Sequence, residues 1–153
     1  MAGLFTIGYE GASLDAFLDE LGRAGVTLVV DVRDHPWSRR PEFCRRRLEE
    51  ALAARGVAYR HDKALGNPKA GREAAKAGDM QAYRAIMAAR LASATGVASV
   101  ARIAEECAHR DIALLCMERN PDMCHRSIVA AAIHAVGAPI PCHLRPGAQL
   151  NLL

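Results

Sequence analysis

The sequence has few aromatic residues, no long apolar run and no regular cysteine spacing, and each absence narrows the class of protein. Aromatic residues make up 5% of a chain that is 51% hydrophobic, so we expect a core built mainly from Ala, Leu, Val and Ile. No apolar run approaches the roughly 20 residues of a membrane-spanning helix. The start, Met1-Ala2-Gly3-Leu4, lacks a basic leader with a long apolar segment, so no export signal is expected.

The five cysteines are an odd number without regular spacing. That pattern is a poor disulfide framework and indicates a protein of the reducing cytoplasm. The length of 153 residues predicts one domain, residues 1–153, with a sizeable core. A net charge of +3 is too small to predict nucleic-acid binding by itself.

Short apolar runs alternate with segments of helical period, which predicts an α/β fold of three layers. Its sheet is expected to be mostly parallel, with helices on both faces. The predicted strands cover residues 4–7, 28–32, 57–60 and 112–116, with an edge strand within 139–144. The predicted helices begin after Ser13, begin near Pro41, and cover about 80–91, 97–110 and 121–136, whereas 62–78 is expected to be a long exposed loop.

Polar side chains follow three of the predicted strands, at 8–10, 31–38 and 116–118. Because ligands of open α/β sheets bind beyond the carboxyl ends of the strands, these segments are expected to share one crevice. Arg33 has the bidentate geometry that suits a phosphate or carboxylate, although an ion pair with Asp31, Asp34 or Glu118 is the alternative.

The most informative stretch is 114–126, in which a predicted strand runs through a tight loop into a predicted helix. Asn120-Pro121 indicates an N-cap followed by proline at the first helical position. We therefore expect Cys124, His125 and Arg126 in the first two turns, where the helix dipole favours anions and thiolates. The alternatives are a buried apolar role for the thiols, a structural hydrogen bond for His125 and a salt bridge for Glu118.

Two sets of candidate site residues follow. The candidate catalytic residues are Cys116, Glu118, Cys124 and His125. The candidate substrate-binding residues are Tyr9, Arg33, Ser38, Arg39 and Arg126.

Three interpretations of this constellation stay open. The first is nucleophilic or acid–base catalysis on an anionic substrate. The second is a metal or redox centre at Cys116, Cys124 and His125, although Cys-x₇-Cys-His is not a standard zinc spacing and adjacent helical residues rarely face one ion. We assign no metal ligand and no cofactor on this basis. The third is a non-catalytic module that holds a nucleotide or nucleic acid on an arginine-rich rim.

Four ordered motifs within residues 4–144 resemble those of the domain-of-unknown-function family 488 (DUF488). They are Thr6-Ile7-Gly8-Tyr9-Glu10-Gly11; Val30-Asp31-Val32-Arg33 with Pro36, Ser38, Arg39 and Phe43; Tyr59 with Leu65-Gly66; and Leu115-Cys116-Met117-Glu118 through Pro121 to Cys124-His125-Arg126. The resemblance implies an α/β domain with a shared polar site and no particular reaction. Where relatives often continue Leu-Gly-Gly, this chain has Asn67 after Leu65-Gly66, and asparagine tolerates left-handed conformations.

These observations together predict a cytoplasmic enzyme, or an enzyme-like domain, that binds a phosphate-bearing ligand such as a nucleotide or nucleic acid. Arg33, Arg39 and Arg126 would hold the anion. Cys116 or Cys124 would supply a thiolate, with Glu118 and His125 handling protons. No membrane partner is expected, and a two-fold homodimer is the default if the protein associates with itself.

Overall fold

The computed structural model describes residues 2–147, which form a parallel β-sheet flanked by helices. The strands are β1 (Leu4–Gly8), β2 (Leu28–Asp31), β3 (Ala58–His61), β4 (Ile112–Cys116) and β5 (Cys142–Leu144). The helices are α1 (Leu14–Arg23), α2 (Arg45–Ala54), α3 (Lys69–Lys76), α4 (Met80–Ala92), α5 (Ala94–Glu106) and α6 (Arg126–Ala135). This arrangement confirms the predicted α/β class.

The strands of the sheet are all parallel and lie in the order β3-β2-β4-β1-β5. The central strand β4 pairs with β1, which places Gly8 opposite Cys116. It also pairs with β2, which places Asp31 opposite Leu115. The carboxyl ends of three neighbouring strands therefore meet at one rim of the sheet, as the sequence predicts.

Alternate residues of each central strand point to opposite faces, which gives the sheet one apolar layer on each side. Val29 packs with α1 and α2, where Phe17 is fully buried. Val30 packs with α5 and α6, where Ile103 and Ile133 are fully buried. Burial of each such side chain contributes about 1.5–3 kcal/mol. The two layers hold the strands in register and so fix the rim residues.

The ends of the early helices follow local sequence signals. Ser13 is the predicted N-cap of α1, and its Oγ accepts a hydrogen bond from the backbone N–H of Ala16 at 3.1 Å. The helix predicted to begin near Pro41 is divided in two. A 3₁₀ turn covers Pro41–Phe43, and α2 itself begins at Arg45 with Cys44 as its N-cap.

The prediction of a long irregular loop over residues 62–78 is wrong. The segment contains a 3₁₀ turn at Lys63–Leu65 and helix α3. Helix α3 is eight residues long and its apolar positions hold only alanine and glycine, so its 3.6-residue period is carried by the charged residues and is easily missed. Its buried residue is Gly71, and a Cβ there would lie 1.9 Å from Oδ1 of Asn67. No non-glycine residue in 2–147 has a positive φ, so Asn67 does not use the left-handed conformation.

Helices α4 and α5 follow one another directly and pack on the same side of the sheet as α6. Helix α5 begins at Ala94, three residues earlier than expected, because Ser93 Oγ accepts from the N–H of Gly96 at 3.2 Å. No single helix of residues 2–147 is long and apolar enough to cross a membrane. Among the described residues, only α4 and α5 taken together reach that length and apolar content, and they are bent by 76° at the break between them.

Candidate functional site

A cleft of about 620 Å³ opens at the rim where β1, β2 and β4 end. Ligand sites of open α/β folds occupy this position. The sheet wall of the cleft is formed by Tyr9, Arg33, Cys116 and His125. The helix wall is formed by Arg72, Ala75, Lys76 and Met80. The cleft therefore lies between two segments that are far apart in the sequence.

Two thiols and an imidazole meet at the sheet wall. The Nδ1 atom of His125 lies 3.7 Å from Sγ of Cys116 and 3.9 Å from Sγ of Cys124. The other ring nitrogen, Nε2, donates a hydrogen bond to the carbonyl oxygen of Val32 at 2.6 Å. A carbonyl only accepts, so Nε2 carries the hydrogen in the neutral ring and the lone pair of Nδ1 faces both thiols.

The backbone between β4 and α6 brings these groups together. Cys116 is the last residue of β4. A 3₁₀ turn at Pro121–Met123 follows, and Asn120 Oδ1 accepts from the N–H of Asp122 at 2.9 Å. Cys124 is then extended, with φ −137° and ψ 141°, and His125 is the N-cap of α6. The prediction that Cys124 and His125 lie within the first helical turns is therefore wrong. The objection that adjacent helical residues rarely face one ion does not apply to them.

The thiol of Cys124 is buried just before the N-cap of α6. Burial raises its pKa well above the usual value, and the neighbouring Cys116 raises it further. Stabilisation of a Cys124 thiolate by the α6 dipole and Arg126 therefore stays a prediction, against which burial acts. Cys116 and His125, unlike Cys124, contribute to the cleft surface.

Glu118 lies at the mouth of the cleft, with Oε2 3.8 Å from Sγ of Cys116. Its backbone crosses directly over β1, where a Cβ on Gly8 would lie 1.8 Å from the Glu118 carbonyl oxygen. Arg126 holds the same loop through hydrogen bonds to its backbone. Its guanidinium is fully buried and donates to the carbonyl oxygens of Glu118 and Arg119.

Arg33 is also buried and forms a bidentate pair with Asp31. Its Nε and Nη2 atoms donate to the carboxylate at 2.9 and 2.7 Å, and Nη1 donates to the Phe43 carbonyl oxygen at 2.8 Å. Burial lowers the pKa of Arg33, but the hydrogen bond and charge of Asp31 outweigh it and raise that pKa. The alternative given by the sequence, an ion pair with Asp31, is what forms. Anion binding by Arg33 stays a prediction, as it does for Arg126.

The remaining candidate residues divide between the cleft and the surface outside it. Tyr9 lines the cleft and stacks on Phe43, with ring centroids 4.4 Å apart. Ser38 accepts from the N–H of Arg40 at 3.1 Å and does not line the cleft. Arg39 is exposed and also lies outside the cleft lining.

The sequence interpretation missed the helix wall. Arg72 and Lys76 are four residues apart, so α3 presents both on one face, and Met80 continues that face into α4. The spacing is a signal that could have been found, had residues 62–78 been read as helical. Arg72 Nη1 donates to Asp34 at 2.9 Å, while Lys76 is exposed and has no ion pair among the described residues.

Large apolar side chains surround the cleft mouth and are exposed. Trp37, the single tryptophan, is 64% exposed, and Met123 is 72% exposed. Met80 and Met117 are exposed beside them. Tyr83 lies deeper, and burial together with Cys124, Cys116 and Glu118 raises its pKa to about 12, so it is a neutral phenol. Exposed apolar groups around a concave site indicate that a ligand or partner covers them.

The profile of a family described as "Domain of unknown function DUF488" matches residues 13–133. The matched region contains three of the four motifs recognised in the sequence, including both cysteines of the cluster. No curated protein and no solved structure matches this chain.

Proposed function

The chain belongs to the DUF488 family, and we propose that it is an enzyme, or an enzyme-like domain, that binds a nucleotide in the cleft. The reactive groups are the cluster of Cys116, Cys124 and His125 together with Glu118. One observation carries the proposal. Cys116 and His125 form part of the cleft surface, with Nδ1 of the imidazole aimed at the thiol and Nε2 held by Val32.

The size and lining of the cleft favour a small ligand with a planar ring. Its volume of about 620 Å³ falls in the range of small-molecule sites, roughly 300–1,000 Å³. Trp37 offers an exposed aromatic face on which a base can stack. Met80, Met117 and Met123 supply polarizable apolar contacts that adapt to a flat ring.

The helix wall favours an anionic group on the same ligand. Lys76 is an exposed ammonium without an ion pair among the described residues, and Arg72 lies one turn away. The two can bind a phosphate while the ring occupies the apolar part of the cleft. Arg33 and Arg126 are buried and donate to Asp31 and to backbone carbonyl oxygens. Arg72 also has a partner in Asp34, but it is 40% exposed and lies beside the Lys76 ammonium, so we assign the phosphate to the helix wall with Lys76 as its main contact.

The sheet wall supplies groups for proton transfer. Cys116 can give its S–H proton to Nδ1 of His125, which leaves a thiolate and an imidazolium whose Nε2–H stays on Val32. A nucleophile beside a base that a third group orients is the usual arrangement for covalent catalysis. Glu118, at 3.8 Å from the same sulfur, can accept or return a proton at the open side.

A nucleotide fits these observations better than a nucleic acid. The arginines at 39 and 45–47 do not line the cleft, and Arg46 has a partner in Glu50 at 3.5 Å. As part of the proposal we assign the protein to the cytoplasm, because the five cysteines are free.

Fluorescence of the single tryptophan tests the proposal directly. We expect AMP to change Trp37 emission saturably, and adenosine and inorganic phosphate each to bind at least tenfold more weakly. The Lys76→Ala variant should weaken AMP binding about tenfold, since a charge-assisted contact is worth about 1.5 kcal/mol. Absence of a saturable response to any of a panel of purine and pyrimidine nucleotides would contradict the proposal.

Lys69→Ala is the matched control, because Lys69 is an exposed lysine of the same helix that does not line the cleft. It should bind AMP as the wild type does. A single-stranded oligonucleotide provides the contrast for nucleic-acid binding. Tighter binding of the oligonucleotide than of AMP, with affinity that falls steeply with salt, would favour the nucleic-acid interpretation instead.

A further inference from the structure

We propose that Sγ of Cys116, Sγ of Cys124 and Nδ1 of His125 bind one zinc-like divalent ion, with the fourth coordination position open to the cleft. The three donor atoms lie within 4.8 Å of one another, and all three residues are buried. This inference goes beyond the proposed function and holds whether or not the cleft binds a nucleotide. In the metal-loaded protein Cys116 and His125 would be ligands, so the proton transfer between them would belong to the metal-free protein alone.

The distances match the edges of a metal tetrahedron. With Zn–S near 2.3 Å and Zn–N near 2.05 Å, a tetrahedral ion separates sulfur from nitrogen by about 3.6 Å. The observed separations from Nδ1 are 3.7 Å for Cys116 and 3.9 Å for Cys124. These two edges therefore need shifts of only a few tenths of an ångström. The two sulfurs lie within 4.8 Å of each other, and a tetrahedral zinc would bring them to about 3.8 Å.

The imidazole is already in the tautomer that a metal requires. Its Nε2–H is donated to the Val32 carbonyl oxygen at 2.6 Å, so Nδ1 presents its lone pair to the thiols. Metal-bound histidines usually donate their second ring nitrogen to a carbonyl or carboxylate in this way. The accepting residue, Val32, is 93 positions away in the sequence, so this hydrogen bond depends on the tertiary fold.

Charge balance favours a divalent soft ion. On binding, both thiols lose their protons to solvent, and the two thiolates neutralise the ion. A neutral complex avoids leaving a net charge in this buried place. A monovalent ion such as Cu⁺ would leave one negative charge, and Mg²⁺ or Ca²⁺ prefer oxygen ligands.

The site is open on one side only. Cys116 and His125 contribute to the cleft surface, whereas Cys124 does not. The fourth position therefore faces the cleft, where Oε2 of Glu118 lies 3.8 Å from the Cys116 sulfur. Three protein ligands with a free position is the arrangement of catalytic zinc, and a nearby carboxylate can take a proton from bound water.

Metal content of the purified, untagged protein tests the site. After incubation with zinc and removal of excess, we expect one ion per chain. Cys116→Ser, Cys124→Ser and His125→Ala should each lose most of it. Cys142→Ser is the matched control, since Cys142 is exposed and outside the cluster, and it should retain the ion. Retention of zinc by all three cluster variants, or none in the wild type, would overturn the proposal.

Spectroscopy of the wild type keeps the test independent of variant folding. X-ray absorption of the zinc protein should show two sulfur ligands near 2.3 Å and one imidazole nitrogen near 2.0 Å. With cobalt(II), we expect thiolate charge-transfer bands and a tetrahedral visible spectrum that azide shifts. A spectrum unchanged by azide would overturn the open position, and a Cys116–Cys124 disulfide in protein prepared under reducing conditions would overturn the site. Failure of AMP binding with a loaded metal site would contradict only the proposed function.

Discussion

The sheet wall and the helix wall of the cleft differ in how firmly their side chains are held. On the sheet wall, Arg33 and His125 are buried and each is bound to backbone oxygens or a buried carboxylate. On the helix wall, Lys76 is exposed and Arg72 is 40% exposed. The sheet wall is therefore suited to chemistry that needs fixed geometry, and the helix wall to holding a variable ligand. The contrast predicts that substitutions on the sheet wall reduce stability, whereas substitutions on the helix wall reduce ligand binding with little effect on stability.

The largest loss of stability is expected from Asp31→Ala. The Asp31 carboxylate is fully buried and accepts hydrogen bonds from Arg33 Nε and Nη2 and from the Tyr59 hydroxyl at 2.5 Å. Its removal leaves a buried guanidinium without its counter-charge, which costs about 3–5 kcal/mol. Urea denaturation measures the free energy of unfolding.

Asp19→Ala is the control for this loss, because Asp19 pairs with Arg55 at 2.8 Å on the surface and should cost less than about 1 kcal/mol. Joint replacement of Asp31 by Leu and Arg33 by Met should recover much of the loss. Equal effects of Asp31→Ala and Asp19→Ala would show that the buried pair does not support the sheet wall.

A smaller loss is expected where two backbones approach at the rim. In Gly8→Ala the new Cβ would lie 1.8 Å from the Glu118 carbonyl oxygen, so the Glu118 loop must move. We expect about 1–3 kcal/mol of destabilisation together with weaker zinc binding at Cys116. Gly22→Ala in α1 is the control, since nothing lies within 4 Å of its Cβ and alanine favours the helix by about 0.5–1 kcal/mol. A neutral Gly8→Ala would contradict the close approach.

The rim and the sheet were predictable from local signals. The run Leu28-Val29-Val30 is apolar and contains two β-branched valines, as is typical of a strand covered on both faces. The strand over 112–116 is found where it was expected. From parallel strands alone, the meeting of Cys116, Arg33 and Tyr9 at one rim follows. The positions of these strands and of the shared rim thus follow from the apolar sequence pattern and from the parallel arrangement of the strands.

The details of the site were not predictable in the same way. The convergence of Cys124 and His125 depends on the chain becoming extended between the 3₁₀ turn at Pro121–Met123 and α6, a break that an Asn-Pro signal does not reveal. The orientation of His125 depends on the Val32 carbonyl oxygen, which only the tertiary structure brings near. Helix α3 is only eight residues long and has alanine and glycine on its apolar face, so its sequence resembles a loop.

An ion pair outside both walls gives an intermediate effect that depends on pH. Glu106 in α5 pairs with Arg60 on β3 through two contacts of 3.0 and 2.6 Å. The hydrogen bond from Arg60 lowers the pKa of Glu106 below its ordinary value of 4.5, against the opposing effect of burial. The pair therefore contributes stability above pH 4.5, and that stability is lost as pH falls through the lowered pKa.

Glu106→Gln should cost about 1 kcal/mol near neutral pH, and the difference from wild type should vanish in acid. Denaturation at several pH values measures it. Glu105→Gln is the control, since Glu105 is exposed and has no ion pair among residues 2–147. A cost for Glu106→Gln that is constant or grows toward acid pH would contradict the assigned pKa shift.

The smallest change of stability is expected on the helix wall, where the binding effect is large. Lys76 lies in the last turn of α3, exposed and without an ion pair among the described residues, so Lys76→Ala should alter the free energy of unfolding by less than about 0.5 kcal/mol. The same substitution is expected to weaken nucleotide binding about tenfold, whereas Asp31→Ala should weaken both. Measuring unfolding and Trp37 fluorescence on each variant compares the walls directly. If Lys76→Ala lost stability and binding in proportion, the helix wall would be part of the structural frame and not a separate recognition surface.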